Sequence, residues 1–545
     1  MERYETRRID HLGIVAGICR EIGLIEQVDQ QVKSSERKVS CGQAVQALVL
    51  NALGFTSRAL YLVPDYLKNR NRPVDLLLGE GLKAADLNDD TLGRGLDDLY
   101  EAGVTEVFAG VASRALEVYG VEHRFVHLDS SSLHVHGEYE GSEAESDVDR
   151  KLITITEGYS KDHRPDLKQA VVTLITGQAS AIPLWLEALD GNSSDRVSFP
   201  KTVQAYCRAL GQAEQPYYVM DSAGYSEDNL QAMEQVRWLT HVPETLKQAK
   251  ELVADTQKVD MQPLEEGYWG KEVSSDYGGI SQRWLVVFSE AAQQREEAGL
   301  MRKQAKELQT AGVDWRKLMQ TSFHCQADAE QALAKFNQKL HYHQVRATVE
   351  THSQYAHPGR PGQDAQPQVT GYQLKGELEP DAVALEKIRM MFGKFILATN
   401  QLQAESLSAS EMLSHYKEQG TSVERGFRFL KDPLFFAHSL FLKSPARIMA
   451  LIMVMGLALL VFALAERQLR LRLKQEQATI PSQTKKPTQT PTMRWVFQMF
   501  EGIDLLLVLQ DEQVVTQKVL NLNSDHLQVI QLLGPQVQNC YLVPD

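Results

Sequence analysis

The stretch Ile448–Leu464, IMALIMVMGLALLVFAL, runs for 17 positions without a charge, with Arg447 before it and Glu466-Arg467 beyond it. A helix over these residues offers water no polar face, so it has to be enclosed on all sides by protein or by lipid. At 1.5 Å per residue it reaches about 25 Å, short of a hydrocarbon core of roughly 30 Å. The central helix of a large domain therefore fits its length better than a membrane span, and methionine-rich apolar helices suit such a centre. A membrane-anchored chain stays as the alternative, which predicts sedimentation with membranes after a salt wash.

Enclosing such a helix takes a long chain. At 545 residues and 61.3 kDa the sequence exceeds what one hydrophobic core accommodates, and about two to four domains are expected. Hydrophobic residues at 43% and charged residues at 23% exclude a disordered or multi-span chain. The balance of 57 Lys+Arg against 71 Asp+Glu leaves −14, which speaks against nucleic acid or anionic lipid as a partner unless a basic surface is gathered locally. Cys19, Cys41, Cys207, Cys325 and Cys540 are far apart with no C-x-x-C, so neither a disulfide framework nor a zinc ribbon is expected and a reducing cytoplasm fits. The charged start Met1-Glu-Arg-Tyr-Glu-Thr-Arg-Arg8 predicts no export signal.

The first hundred or so residues read as helices. Leu12, Val15, Ala16 and Cys19 share one helical face, and Val45, Leu48, Val49, Ala52 and Leu53 repeat the stripe after a Ser40-x-x-Gln43 capping box, with Gly54 as a stop. The basic cluster Lys68, Arg70 and Arg72 reads as a solvated loop, or as a phosphate contact. From Arg124 the period becomes that of strands: Phe125–Asp129, Gln169–Ile175, Ile182–Ala188, Tyr217–Asp221 and a shorter run at Trp238–His241, with helices from Ser198 and Ser226 between the later ones. Glu138–Asp149 reads as an exposed acidic loop. Downstream, Tyr277–Phe288 and Phe395–Asn400 read as strands, Thr351–Gln368 as a loop, and Ala478–Thr492 has linker composition.

Two aspartates end strand-like runs, Asp129 in FVHLDSSS and Asp221 in YYVMDSAGYS. Carboxylates at the ends of adjacent strands can share divalent cations, although an aspartate after a strand is also a common turn or cap residue. A third acid lies in Tyr416-Lys-Glu-Gln-Gly-Thr-Ser-Val-Glu-Arg-Gly-Phe-Arg-Phe-Leu-Lys431-Asp-Pro433. On a helix from about Thr421, Glu424, Arg428 and Lys431 share one face while Val423, Phe427 and Leu430 share another. Thr421-x-x-Glu424 is equally a capping box, which would give Glu424 a purely local role. Of the histidines near Asp129 (His123, His127, His134, His136), none forms a zinc-type helical pair, so structural or hydrogen-bonding roles are expected. Trp185, Trp269 and Trp284 read as core residues or as platforms for bases.

Taken in order, Asp129-Ser-Ser-Ser, Gly158-Tyr-Ser-Lys-Asp-His-Arg-Pro-Asp-Leu-Lys-Gln169, Gly191-Asn-Ser-Ser-Asp195, Asp221-Ser-Ala-Gly-Tyr225 and Glu424-Arg-Gly-Phe-Arg-Phe-Leu-Lys-Asp-Pro433 resemble the DDE transposases of bacterial insertion sequences. The resemblance is to the group with a Tyr-Arg-Glu-Lys signature around the catalytic glutamate, and it covers roughly residues 125–467. It implies an α/β fold: an RNase H-like mixed-sheet core interrupted by a β-rich insertion, with a helical N-terminal domain. It implies that Asp129, Asp221 and Glu424 are catalytic and hold Mg2+, with Mn2+ as the alternative. Lys431 matches the family lysine that contacts phosphate. The family pattern Tyr-x2-Arg-x3-Glu falls on Lys417 and Gly420 instead of Tyr and Arg, so Tyr416, Arg425 and Arg428 are the candidates to contact DNA in their place.

The domains expected are a helical 1–118 for DNA-end binding or dimerisation, a first core part at 119–245, an inserted β-rich domain at 246–404, a second core part at 405–477, a linker at 478–492 and a small appendage at 493–545. Between Glu424 and Gln475 nine basic residues stand against three acidic ones, which supplies the local basic surface that the whole-chain charge lacks. The function implied is metal-dependent cleavage and strand transfer of DNA at the terminal inverted repeats of an element, in a homodimeric synaptic complex, in the cytoplasm and on the nucleoid, with no membrane involved. A catalytically inactive DNA-binding remnant is the alternative.

Overall fold

The computed structural model describes the chain except for residues 1, 34–36, 55–62, 70–71, 136–151, 161–162, 178–180, 212–214, 355–367, 433–441, 443, 512 and 543–545. The acidic stretch Glu138–Asp149, His136, Arg70 and most of the Thr351–Gln368 stretch therefore lie outside the described residues.

Strand β1 (Glu2–Arg8) precedes helices α1 (Leu12–Glu21), α2 (Leu24–Gln31), α3 (Cys41–Ala52), α4 (Val63–Asn69), α5 (Val74–Leu78), α6 (Asp89–Ala102) and α7 (Val104–Tyr119). Next come β2 (Phe125–His134), β3 (Gln169–Gly177), β4 (Pro183–Leu189), α8 (Asp195–Leu210), β5 (Tyr217–Met220), α9 (Glu227–Ala232), β6 (Arg237–His241) and α10 (Lys247–Asp255). Then follow β7 (Gln262–Glu265), β8 (Tyr268–Ser275), β9 (Gln282–Ser289), α11 (Glu290–Met319), α12 (Gln326–Asn337), β10 (His343–Gln354), β11 (Gln368–Pro380), α13 (Ala382–Arg389) and β12 (Lys394–Thr399). The remainder holds α14 (Ala409–Glu418), α15 (Val423–Leu430), α16 (Pro445–Gln475), β13 (Ile480–Pro481), β14 (Pro487–Thr488), α17 (Met493–Met499), β15 (Asp504–Gln510), β16 (Gln513–Leu520), α18 (Ser524–Leu533) and α19 (Pro535–Tyr541).

Nine strands form one sheet in the order β4-β3-β2-β5-β6-β12-β9-β8-β7. In its first five strands β2, β4, β5 and β6 run parallel and β3 alone runs opposite. The other four are antiparallel additions, so β7, β8, β9 and β12 lengthen the same sheet. Alternation along the strands separates two faces. Phe125, Tyr217, Val219, Leu239 and Leu397 pack beneath Met412 and Leu413 of α14, whereas Tyr218, on the opposite face, meets Tyr206 of α8. Beyond the sheet, the ribbon β10-β11 closes with α11 and α12 on a small core of Trp315, Ala329, Val345 and Leu374.

Helix α16 is long and apolar enough to cross a membrane, and 83% of its most apolar window is enclosed by the protein. It touches α1, α3, α6, α7, α15, α18 and β4. Gly456 permits a close approach to β4 and α7: a Cβ there would lie 2.5 Å from Leu186 and 2.9 Å from Phe108. Burying each large apolar side chain of the run is worth about 1.5–3 kcal/mol, which protein supplies here without lipid.

The N-terminal region is not purely helical. Strand β1 pairs antiparallel with β15, 496 positions away at Arg8–Asp504, and β16 completes a three-stranded sheet. Helix α1 crosses α19 at Gly13 and Gly17, where added Cβ atoms would sit 2.7 Å from the Tyr541 ring and 2.6 Å from Val537. The Tyr541 hydroxyl donates to the Asp10 carbonyl at 2.5 Å.

Arg72 corrects the reading of a solvated basic loop, because its side chain is 2% exposed. Its guanidinium donates to Asp10 Oδ2 at 2.9 Å and to the carbonyls of Arg8 and Ile9, while Asp10 Oδ1 accepts from Gly502 N at 2.8 Å. Asp10→Ala would strand a buried guanidinium. The expected cost is about 3–5 kcal/mol, read as a lower urea unfolding midpoint.

Candidate catalytic site

Strands β2 and β5 pair as Phe125↔Tyr217, Val126↔Tyr218 and His127↔Val219. Continuing that register by two positions sets Asp129 level with Asp221, on strands about 4.8 Å apart. The β5-β6 register, Met220↔Thr240, likewise brings His241 level with Asp221. Asp129, Asp221 and His241 thus form one row across three parallel strands, on the face that carries Phe125 and Val219. Backbone amides orient both aspartates: Asp129 Oδ1 accepts from Ser130 N at 2.7 Å and Asp221 Oδ1 from Ala223 N at 2.9 Å. Asp221 is also the N-cap of a 3-10 turn, so the cap reading holds for it, and that cap sits at the end of a central strand.

Helices α14 and α15 lie over this same face. His415 stacks on Phe125 with ring centroids 3.6 Å apart, and Tyr416 faces His241 at 6.0 Å. Burial, and then the charges of Asp221 and Glu424, push the Tyr416 phenol up to about 12, which places this side chain in the field of both acids. A 3-10 turn at Gln419–Thr421 separates the two helices, and Ser422 between them is non-helical (φ −102°, ψ −89°). Fully buried Ser422 donates to the Gly177 carbonyl at 3.0 Å and meets the Thr176 hydroxyl at 2.7 Å. Helix α15 therefore starts at Val423, two residues after Thr421, with Ser422 in the N-cap position. Glu424 is its second residue, not the third that a capping box requires, and its side chain is exposed.

Further along α15, Gly426 lets the helix settle between sheet and core: a Cβ would lie 2.8 Å from Leu174 and 3.3 Å from Leu459. Leu174 pairs with Asp129, so α15 rests on the row's own face. Arg428 is exposed one turn beyond Glu424, and Lys431 is the C-cap. Arg425 points the other way, into an ion pair with buried Glu466 of α16. Lys417 pairs with Glu265 and lies 4.4 Å above the Tyr268 ring, and at Gly420 an added Cβ would be 3.6 Å from the Glu424 carboxylate. Because the helix is broken, residue spacing does not map onto one continuous face, and Tyr416 reaches the acids from one position early.

His127 is fully buried with Nε2 3.9 Å from Glu418 Oε2, and burial lowers its pKa. His134 contacts the Ser160 hydroxyl at 3.3 Å. Trp185 and Trp284 are core residues, the latter donating to Tyr225 and Gln282, and half-buried Trp269 lies under Lys258 Nζ at 3.5 Å. The Gly158–Gln169 and Gly191–Asp195 motifs meet at a backbone crossing. Gln169 Nε2 donates to the carbonyls of Tyr159 and Gly191, and a Cβ on Gly158 would lie 2.2 Å from Gly191 O. His241, Ser422 and Glu466 were not singled out in the sequence; only the register and the contacts mark them.

Oxygen donors in this row suit hard divalent cations. Among the described residues no three His, Cys, Asp or Glu side chains converge closely enough to hold one together. The residues available are Asp129 and Asp221 side by side and Glu424 on the helix above them. A cavity of about 960 Å³ lined by Trp185, Glu187, Ser198 and Lys201 lies elsewhere, and none of the three acids lines it.

Five strands in this order, with one reversed and acids on the two central ones, are an RNase H-like core with a sheet extension. The chain belongs to the DDE transposases: residues 121–461 match the family described as "Transposase DDE domain". Residues 4–113 match a domain of unknown function, DUF4277. A cryo-EM structure of a piggyBac transposase synaptic complex with hairpin DNA aligns over 91% of this chain and 82% of that one, at 9% identity and a TM-score of 0.37. No curated protein matches the sequence.

Proposed function

We propose that this transposase cuts and joins DNA strands at the ends of an insertion element, with Asp129, Asp221 and Glu424 as its catalytic acids. The observation that carries the reading is the alignment of Asp129 with Asp221 beneath the helix that bears Glu424, within the segment matched to the transposase family. Divalent cations, Mg2+ or Mn2+, held by the three carboxylates would activate the attacking water or 3'-hydroxyl and stabilise the leaving oxygen of an in-line displacement. The chain's own side chains bind and orient the DNA. Tyr416 keeps its proton at neutral pH and can donate it in a hydrogen bond to a phosphate oxygen. Arg428 and Lys431 flank Glu424 and supply positive charge for the backbone of the cleaved end. The helical N-terminal region would contact element ends or a second protomer, and the synaptic complex would be a homodimer.

The test is cleavage of labelled DNA bearing the terminal inverted repeats that flank the gene. Wild-type protein is expected to nick and join strands with Mg2+ and to stop on chelation. Glu424→Gln is expected to bind the same DNA and cleave at least about a hundredfold more slowly, given the charge stabilisation removed. Retained cleavage in that variant would reject the assignment of Glu424, and DNA binding by the wild type without any metal-dependent cleavage would favour an inactive remnant.

A further inference from the structure

Helix α15 is too short to hold its own shape, since one of eight residues is marginal in water. Its orientation has to come from what it touches. Ser422 pins its start to β3, and Phe429 meets Phe462 of α16 at 5.0 Å. At its centre Arg425 pairs with Glu466, whose side chain is 6% exposed and sits in the third turn from the end of α16. The same carboxylate accepts from Arg470 at 2.9 Å and, through Oε2, from the Met493 amide at 3.0 Å, which opens α17. Asp432, just past α15, pairs with Arg494 of α17 at 3.3 Å.

Arg425 and Glu424 are consecutive on one helical turn and point about 100° apart. Whatever fixes the guanidinium therefore fixes the rotation of the helix, and with it the direction of the Glu424 carboxylate. A buried carboxylate with two guanidinium partners and a backbone amide is a costly device if packing alone is needed, because apolar side chains of similar volume are often as stable. What an ion pair adds is a single allowed geometry. We propose that Glu466 is a positioning residue: acting through Arg425, it sets the rotation of α15 so that Glu424 can join Asp129 and Asp221 on one cation. The proposal rests on the catalytic assignment above and gives Arg425 a role inside the protein instead of on DNA.

Mn2+ binding to full-length protein without DNA, followed by calorimetry, separates positioning from mere packing. Arg425→Met is expected to weaken Mn2+ binding at least about tenfold, as loss of a partner behind a metal ligand does. Arg425→Lys should recover most of that loss, and the Mg2+ requirement for cleavage should shift in parallel. A packing role would instead lower the unfolding midpoint and leave the Mn2+ curve in place; a folded Arg425→Met with wild-type Mn2+ affinity overturns the proposal. Should that variant not fold, Glu466→Gln, which keeps an oxygen for the Met493 amide but removes the charge that holds Arg425, is measured instead, and the same two outcomes decide. Asp129→Asn serves as the reference. If it leaves Mn2+ binding unchanged, the catalytic assignment fails and the positioning role falls with it; if it abolishes binding while Arg425→Met does not alter it, only the positioning role fails.

Discussion

With Asn in place of Asp129 or of Asp221, metal-dependent strand cleavage falls by about 10³-fold or more while DNA binding persists. Asparagine keeps the size of the side chain and an oxygen that can accept from Ser130 N or Ala223 N, so the local turn is preserved. It removes the negative charge. A cation clamp contributes several kcal/mol of transition-state stabilisation, and about 4 kcal/mol corresponds to a thousandfold in rate. Binding need not suffer, because one fewer carboxylate faces the phosphates. The measurement is single-turnover cleavage of end-labelled DNA in Mg2+. Either variant cleaving within tenfold of the wild type would show that the row across β2 and β5 is not where the chemistry happens.

Gly17→Leu is expected to destabilise the fold by about 3 kcal/mol or more, at the upper end of what overpacking costs. The reason lies in what the new side chain meets. A Cβ at Gly17 lies 2.7 Å from the Val537 Cα and 2.8 Å from its backbone nitrogen, and backbone cannot rotate aside as a side-chain tip can. Helices α1 and α19 would have to separate, taking with them the Tyr541 contacts to Asp10 and Ile14. Gly299, on α11, has nothing within 4 Å of an added Cβ. Gly299→Ala should therefore stabilise, by up to about 1 kcal/mol, since alanine replaces glycine inside an exposed helix. Urea unfolding midpoints of the two variants should move in opposite directions. A midpoint for Gly17→Leu equal to that of the wild type would refute the close crossing.

Much of the core was legible because its elements bury one face and say so locally. Four of the five strands from Phe125 to His241 appear within two residues of where their apolar runs predict them, the first runs on past Asp129 to His134, and the run at Ile448–Leu464 is the enclosed centre of α16. The three candidate acids came from the motif order, and their arrangement in space did not. Asp129 and Asp221 become neighbours only through the parallel register, which no local pattern encodes. Thr421 predicted a cap, but Ser422 takes the N-cap position and its hydroxyl bonds to the Gly177 carbonyl of β3 instead of a helix amide. Strand β1 gave no signal: Glu2–Arg8 lies at a sheet edge with half-exposed side chains, so it lacks the apolar alternation that marks a strand. Arg72 read as part of a solvated loop, and Glu466 drew no reading, for the related reason that each is neutralised by a partner far away in sequence.

The pairing of β1 with β15 also has a consequence for how the protein is made. At about 5–20 residues per second, the ribosome needs roughly 25–100 s to travel the 496 positions that separate Arg8 from Asp504. Throughout that interval β1 waits with an unpaired edge and the glycine face of α1 waits uncovered, in the nascent state most open to chaperones and proteases. The contacts of Met493 with Glu466 and of Arg494 with Asp432 also arrive late, well after α15 has been made. A chain cut short before Met493 would contain Asp129, Asp221 and Glu424 yet lack the contacts that Met493 makes with Glu466 and Arg494 with Asp432.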